Sequence, residues 1–151
     1  MLRFDFDESP GWWIVSTARA LDRTMAAELR PHGITYRQCQ VLASLALHGP
    51  ISQADLARDL AIEPPTLTGI LSRMERDGWV ERRSCPTDGR KKLVHPLRQA
   101  QGVWNQIVQT ALPLRARAVA GFDETELTTL RNLLERIRDN VADTAVPETT
   151  R

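Results

Sequence analysis

Cysteine is scarce in this sequence of 151 residues, which has only Cys39 and Cys85, each in a different predicted element. This scarcity excludes a disulfide framework and a cysteine-rich zinc cluster. The three histidines, His32, His48 and His95, are scattered singly and form no metal-ligand spacing. A Gly-rich phosphate loop and a nucleophile with a spaced base are also lacking. The sequence therefore predicts no cofactor, no metal site and no enzyme.

Long apolar runs are absent as well, and none approaches the ~20 residues that a membrane span needs. The N-terminal stretch MLRFDFDESP has acids where a signal peptide would have cations, which predicts a cytoplasmic protein. Hydrophobic residues make up 42 % and charged residues 26 %, as in ordinary globular proteins. A chain of this length forms either one domain with its own core or a small domain with extended oligomerisation arms.

The formal net charge is only +1, but the charges are unevenly distributed. Residues 73–98 contain eight Lys or Arg and four acids, whereas residues 121–151 contain seven acids and four arginines. Such asymmetry between a basic middle and an acidic end favours a nucleic-acid-binding face. A solvated surface without a partner explains the charges equally well, so charge alone leaves both interpretations open.

Start and stop signals predict four helices in the first half of the chain. The first starts at Ser9 and Pro10 and ends before Pro31, and the second starts with a capping box formed by Thr35 and Gln38. The third is short; Ser52 caps it and Asp55 reaches back toward the cap. The fourth covers EPPTLTGILSRMERDG and ends at Gly78. Its inward face is Leu67, Ile70, Leu71 and Met74, and its outward face is Thr66, Thr68, Gly69, Ser72, Arg73 and Arg76.

The stretch ERRSCPTDGRKKLVHP predicts a β-hairpin, because a Pro-Thr-Asp-Gly turn separates two short β-prone runs. Two strands are too little sheet to stand alone, so they are expected to pack on the helices. A fifth helix is predicted to start at Pro96 and to kink at Pro113. A sixth carries apolar residues at a 3-4-3-4 spacing that suits packing between two chains or within one. These residues are Leu127, Leu130, Leu134, Ile137 and Val141.

Three helices followed by a hairpin predict a winged helix-turn-helix, in a mainly α fold with a small β-hairpin. The third and fourth predicted helices form the helix-turn-helix. The second helix of this motif enters the major groove, so the fourth predicted helix is the recognition helix. Hydroxyls and arginines on its outward face are groups that base edges and phosphates accept. The cations of the hairpin can lie on the adjacent minor groove or its phosphates. Any amphipathic helix also turns polar residues outward, so this face alone does not establish DNA binding.

A family resemblance rests on these same residues. The stretch SQADLARDLAIEPPTLTGILSRMERDGWVERRSCPTDGRKKLVHPL, with its wing motif Asp88-Gly89-Arg90, resembles the MarR family of bacterial transcription regulators and looks most like the SlyA subgroup. The terminal stretch AGFDETELTTLRNLLERIRDNV is similar too, and the resemblance covers roughly residues 10–143. One departure is Gly69, which stands where SlyA-like relatives tend to carry an arginine for DNA contact. Direct base reading is therefore expected to be weaker or to move to Arg73.

The resemblance implies a homodimer on a pseudo-palindromic operator, and a regulator, often a repressor, that is relieved by a small aromatic or phenolic ligand or by oxidation. It implies dimerisation helices in residues 1–34 and 97–143 and a DNA-binding domain in residues 35–96. The terminal stretch TAVPETTR itself predicts a disordered tail in residues 144–151. The expected DNA-binding residues are Ser52, Gln53, Pro65, Thr66, Thr68, Gly69, Ser72, Arg73, Arg83, Asp88, Arg90 and Lys91.

Other candidates have both a functional and a structural interpretation. Cys85, between the wing strand and its turn, is either a redox switch or a small packed thiol; in the first case Arg82 and Arg83 would lower its pKa. Cys39 is predicted to be a buried core residue. The aromatic candidates for the ligand pocket, which are also candidates for the dimer core, are Trp12, Trp13 and Trp104.

A second class of function stays open at this stage. Winged helices also serve as protein-docking modules, and the basic segment could meet an acidic partner. That alternative predicts no binding to duplex DNA whose affinity falls steeply with salt concentration, and it leaves Arg90 on the wing without a role.

Overall fold

The computed structural model describes residues 5–89 and 91–142. Its helices are α1 (Pro10–Leu29), α2 (Tyr36–His48), α3 (Gln53–Asp59), α4 (Pro64–Arg76), α5 (Ala100–Ala118) and α6 (Glu124–Ala142). Its strands are β1 (Ile51–Ser52), β2 (Val80–Ser84) and β3 (Lys92–Pro96), which form one antiparallel sheet in the order β1-β3-β2. A 3-10 turn, Arg30–His32, follows α1. The predicted fold class is confirmed.

The helix starts follow from local hydrogen bonds, as the sequence predicted. The Ser9 hydroxyl accepts from the backbone N–H of Trp12 at 3.3 Å. Thr35 and Gln38 form the predicted capping box, in which Thr35 Oγ1 accepts from the Gln38 N–H at 3.2 Å and Gln38 Oε1 from the Thr35 N–H at 2.9 Å. Gly33 ends the first helical segment with φ at +70°, a conformation that glycine adopts without strain. Each cap satisfies backbone groups that a helix end leaves unpaired.

Two details of the sheet differ from the sequence prediction. A third strand, β1, pairs Ile51 with Val94 and was missed, because a strand of two residues shows no alternation to detect. The prediction that Pro96 starts the fifth helix is wrong. Pro96 is the last residue of β3, and the N–H of Leu97 donates to the carbonyl of Trp79 at 2.9 Å, which holds the chain extended beyond it. The helix α5 therefore starts four residues later, at Ala100.

The described residues form two compact units, one that ends at Leu114 within α5 and one that starts at Arg115. The first unit contains the core, in which helices α1 to α4 pack with the sheet. Burial of one such side chain stabilises the fold by ~1.5–3 kcal/mol relative to exposure. The most completely buried side chains are Leu29, Val41, Leu56, Leu67, Leu71, Met74, Val80 and Val94.

In the second unit, α6 has no buried residue, and four members of its predicted apolar seam are exposed: Leu130 (40 %), Leu134 (44 %), Ile137 (37 %) and Val141 (63 %). Across residues 5–89 and 91–142, no helix is both long and apolar enough to pass through a lipid bilayer.

Candidate nucleic-acid interface

The helix α4 separates its two faces as the sequence predicted. Leu67, Ile70, Leu71 and Met74 are at most 3 % exposed and anchor the helix on the core. The opposite face is exposed and consists of Pro65, Thr66, Thr68, Gly69, Ser72, Arg73 and Arg76. A side chain at Gly69 would meet no described atom within 4 Å, so the fold itself does not require glycine there. This exposed face of α4 is small and polar at its start and basic toward its end.

The start of α3 is tied together by short polar contacts. Ser52 is buried; its hydroxyl accepts from the Asp55 N–H at 3.1 Å and donates to Asp55 Oδ2 at 2.6 Å. Arg58 Nη1 donates to Asp55 Oδ1 at 2.7 Å. The hydrogen bonds from Ser52 and Arg58 lower the pKa of the Asp55 carboxyl. The Ser52 hydroxyl therefore holds the helix start, while its neighbour Gln53 is half-buried.

The hairpin of β2 and β3, which we call the wing, presents cations at its sides. The N–H of Lys91 donates to the Asp88 carbonyl, and the Lys91 carbonyl accepts from the Cys85 N–H, both at 2.9 Å. Lys91 and Arg83 are exposed, and Arg83 forms an ion pair with a carboxylate on its own strand. Arg90, the expected wing arginine, lies outside the described residues. The wing thus presents Lys91 beside the exposed face of α4.

A groove of about 490 Å³ joins three of these elements. Its lining includes Ser52 and Gln53 from α3 and its cap, Thr68 from α4, and Lys91 from the wing. The structure therefore brings four of the predicted DNA-binding residues into one concave surface.

A contact that the sequence did not predict links the wing to α4. The guanidinium of Arg82 forms an ion pair with Glu75, and its Nη2 donates to Ser72 Oγ at 3.1 Å. The backbone N–H of Arg82 donates to Glu75 Oε1 at 2.9 Å. The hydrogen bond from Arg82 lowers the pKa of the Glu75 carboxyl, so Glu75 is ionised at neutral pH. In the sequence, Glu75 and Arg82 are seven residues apart with a glycine turn between them. This spacing alone does not specify an ion pair.

Comparisons with known proteins agree with this geometry. A model of the MarR family matches residues 34–92. The transcriptional activatory protein BadR of Rhodopseudomonas palustris is 32 % identical over 128 residues, which are 82 % of this chain and 73 % of BadR. The homoprotocatechuate degradative operon repressor of Escherichia coli is 34 % identical over 108 residues, 71 % of this chain and 72 % of the repressor. The chain belongs to the MarR family.

A solved structure of a MarR-family protein extends the likeness to DNA binding. The cysteine-to-serine mutant of E. coli MarR in complex with operator DNA superposes with a TM-score of 0.75 and 28 % identity, covering 89 % of this chain and 99 % of that one. With its exposed α4 face and its wing, this MarR-family chain is a DNA-binding transcription regulator.

The MarR-family wing also contains Cys85, which is half-buried. Its sulfur lies 3.2 Å from Thr87 Oγ1. The side-chain hydrogen bond with Thr87, followed by backbone N–H groups of the turn, lowers the pKa of the Cys85 thiol. Arg82 and Arg83 are not the cause that the sequence suggested, because their guanidiniums pair with carboxylates on α4 and β2. Cys39 is buried as predicted, and burial raises the pKa of its thiol to about 11.

Replacing Thr87 by valine in a Cys39→Ala background is expected to slow alkylation of Cys85 at neutral pH. The lowered pKa keeps more of the thiol as thiolate, the reactive form, and removal of the hydroxyl raises that pKa. The rate of reaction with iodoacetamide would be measured by mass spectrometry across a range of pH. The pH at which this rate rises should be higher in the variant. A profile that is identical in the two proteins would contradict this assignment.

Of the three predicted pocket tryptophans, Trp104 alone lines a groove of about 580 Å³ between α2 and the start of α5. Arg98 lines the same groove. Trp12 lies on α1 with its ring centroid 5.2 Å from that of Phe6. The indole N–H of Trp13 donates to the carbonyl of Asp7 at 2.8 Å. The three tryptophans are therefore not brought together within the described part of the chain.

Proposed function

We propose that this regulator is SlyA-like and binds a pseudo-palindromic operator as a homodimer, with α4 in the major groove and the wing in the minor groove. The observation that carries the proposal is the exposed face of α4 beside the basic wing. A recognition helix docks in this way when its apolar side is held by the core and its polar side is free. Two copies related by a two-fold axis would meet two half-sites about one helical turn apart.

The division of labour follows the predicted domains. Residues 35–96 bind DNA, while residues 1–34 and 97–143 form the dimer. Support comes from the exposed seam of α6 and from exposed aromatic residues on α1, Trp12 and Trp13. The predicted disordered tail, residues 144–151, lies outside the described residues.

Operator selection tests this proposal. Duplexes bound by the protein would be selected from a random DNA library, and affinity for the winning sequence followed across salt concentration. We expect a pseudo-palindrome and a log–log salt slope of several units, because each neutralised phosphate releases condensed counterions. No enrichment, or weak binding without sequence preference, would favour the alternative of a protein-docking module. The two relatives are a transcriptional activator and an operon repressor, which argues against a docking module and against an enzyme.

We also propose that the protein acts in the bacterial cytoplasm as a repressor that a small aromatic acid relieves. The groove beside Trp104 supports a ligand of this kind, because an indole face suits an aromatic ring and Arg98 suits a carboxylate. One relative is the repressor of a homoprotocatechuate degradative operon, whereas another is named an activator, so the direction of control is part of the proposal.

Ligand binding is expected to quench the fluorescence of Trp104 and to weaken operator binding. Titration with hydroxylated aromatic carboxylates should quench the wild-type protein and leave a Trp104→Phe variant nearly unchanged. An Arg98→Gln variant should require more ligand, because the carboxylate loses its charged partner. Equal quenching in the Trp104→Phe variant would place the ligand elsewhere.

A redox response through Cys85 is the remaining proposal for the wing. Its lowered pKa and its place beside the turn support it. Mild peroxide should then weaken operator binding by the wild-type protein, and a Cys85→Ser variant should not respond. An equal response from both proteins would assign Cys85 a purely structural role.

A further inference from the structure

Two hydroxyl side chains on the exposed face of α4 are in different hydrogen-bonding states. Thr68 Oγ1 donates to the carbonyl of Pro64 at 3.0 Å. Ser72 Oγ, one turn later, accepts from Arg82 Nη2 at 3.1 Å. A hydroxyl has one proton to donate and two lone pairs. Thr68 has therefore already used its proton, whereas Ser72 has used a lone pair.

The partner of Ser72 determines what Ser72 can offer to DNA. A guanidinium only donates hydrogen bonds, so Ser72 Oγ acts as the acceptor in this contact. Within residues 5–89 and 91–142, no group accepts the proton of Ser72. Helical hydroxyls can donate to the carbonyl four residues earlier, as Thr68 does to Pro64, but among the described residues Ser72 makes no such bond to the carbonyl of Thr68. Ser72 consequently presents a donor to its surroundings.

Arg82 is fixed in this position from a second direction. Its guanidinium is paired with Glu75, which lies on α4 three residues after Ser72. The side chains of Arg82 and Glu75 are 23 % and 28 % exposed, so the pair is partly shielded from water. The Glu75 carboxylate also accepts from the backbone N–H of Arg82, which ties β2 to α4. Arg82 thus has little freedom to leave Ser72.

We propose that Ser72 reads the operator by donating a hydrogen bond to the N7 atom of a purine in the major groove, and that Arg82 is the positioning residue that leaves the Ser72 proton available. Purine N7 is an acceptor on the major-groove edge. A short side chain reaches a base only if the helix approaches closely, and Gly69, three residues earlier on the same face, has no side chain to prevent this. The inference rests on the proposed operator binding.

The test uses a duplex that the wild-type protein has selected from a random library. Each purine of one half-site is replaced in turn by its 7-deaza analogue, which lacks the N7 acceptor. At one position we expect the analogue to weaken wild-type binding ~5-fold or more, the lower end of a specific base contact. The same analogue should leave binding by Ser72→Ala unchanged, because that variant has no donor to lose.

Arg82→Ala examines the positioning role. It should lose the response to the same 7-deaza analogue, and the double variant with Ser72→Ala should show no further loss at that base. A merely structural role would weaken binding at every position alike and would leave the 7-deaza response in place. Thermal unfolding is measured for each variant, including the conservative replacement Arg82→Lys. It separates loss of the fold from loss of base recognition.

The outcomes separate this inference from the proposal on which it rests. If the wild-type protein selects no duplex, operator binding itself is refuted, and the reading by Ser72 with it. If a duplex is selected but every 7-deaza analogue affects wild type and Ser72→Ala equally, only the inference is overturned. In that case the Ser72 hydroxyl binds another acceptor, either a base carbonyl oxygen or a phosphate, or no DNA group at all.

Discussion

Replacing Leu134 and Ile137 of α6 by glutamate is expected to convert the regulator from a dimer into monomers and to weaken operator binding by ~10²–10⁴-fold. Both side chains are exposed, and both belong to the apolar seam of α6, whose members recur every three or four residues. Exposed apolar side chains in such a row are stabilised when a partner helix covers them. Charged groups placed in the row would have to be buried on association, which is strongly unfavourable.

The loss of affinity follows from losing the second half-site. A dimer that binds one half-site holds its second reading helix at high effective concentration over the other. A monomer lacks this advantage even when its own fold is intact. Sedimentation measures the state of association, and binding to a full and to a single half-site measures the advantage.

A matched control places the same charges on the other side of α6. Thr129→Glu with Asn132→Glu adds two negative charges about a third to a half of a turn away from the seam, and both positions are exposed. This variant should remain dimeric and should retain most of its affinity. A stable dimer after substitution of Leu134 and Ile137 would mean that α6 does not form the interface.

Most helix boundaries were predictable from this sequence because their determinants are local. Thr35 and Gln38 cap α2 through contacts three residues apart, and the outward face of α4 follows from the helical period alone. The short strand β1 was not predictable, since its pairing with Val94 depends on chain more than forty residues away. The start of α5 was misplaced because Pro96 satisfies the rule for a helix start and also ends a strand.

The chemistry of the interface was only partly predictable. Which residues of α4 face outward could be predicted, but the hydrogen-bonding state of Ser72 could not, because it depends on Arg82 from another element. The same limit applies to Cys85. Nearby arginines in the sequence suggested a cause for a lowered pKa, whereas the structure pairs them elsewhere and assigns the effect to Thr87.

Arg73→Ala is expected to weaken operator binding by ~10–100-fold, within the range of a specific contact by one arginine. Arg73 is exposed on α4, four residues after Gly69 and therefore on the same face. Gly69 has no side chain to contact DNA, and Arg73 is the first cation along α4. Among residues 5–89 and 91–142, Arg73 has no ion pair, and its charge is available to DNA.

Arg76→Ala is the matched control, because it removes the same charge from the same helix. Arg76 Nε donates to Asp77 Oδ1 at 3.1 Å, so its charge is already partly neutralised. We expect its loss to change affinity less than ~3-fold, as for a contact that does not read a base. Equal losses in the two variants would show that only net charge matters. A loss confined to Arg73→Ala, with relaxed preference at one base pair, would instead show that Arg73 contacts a base directly.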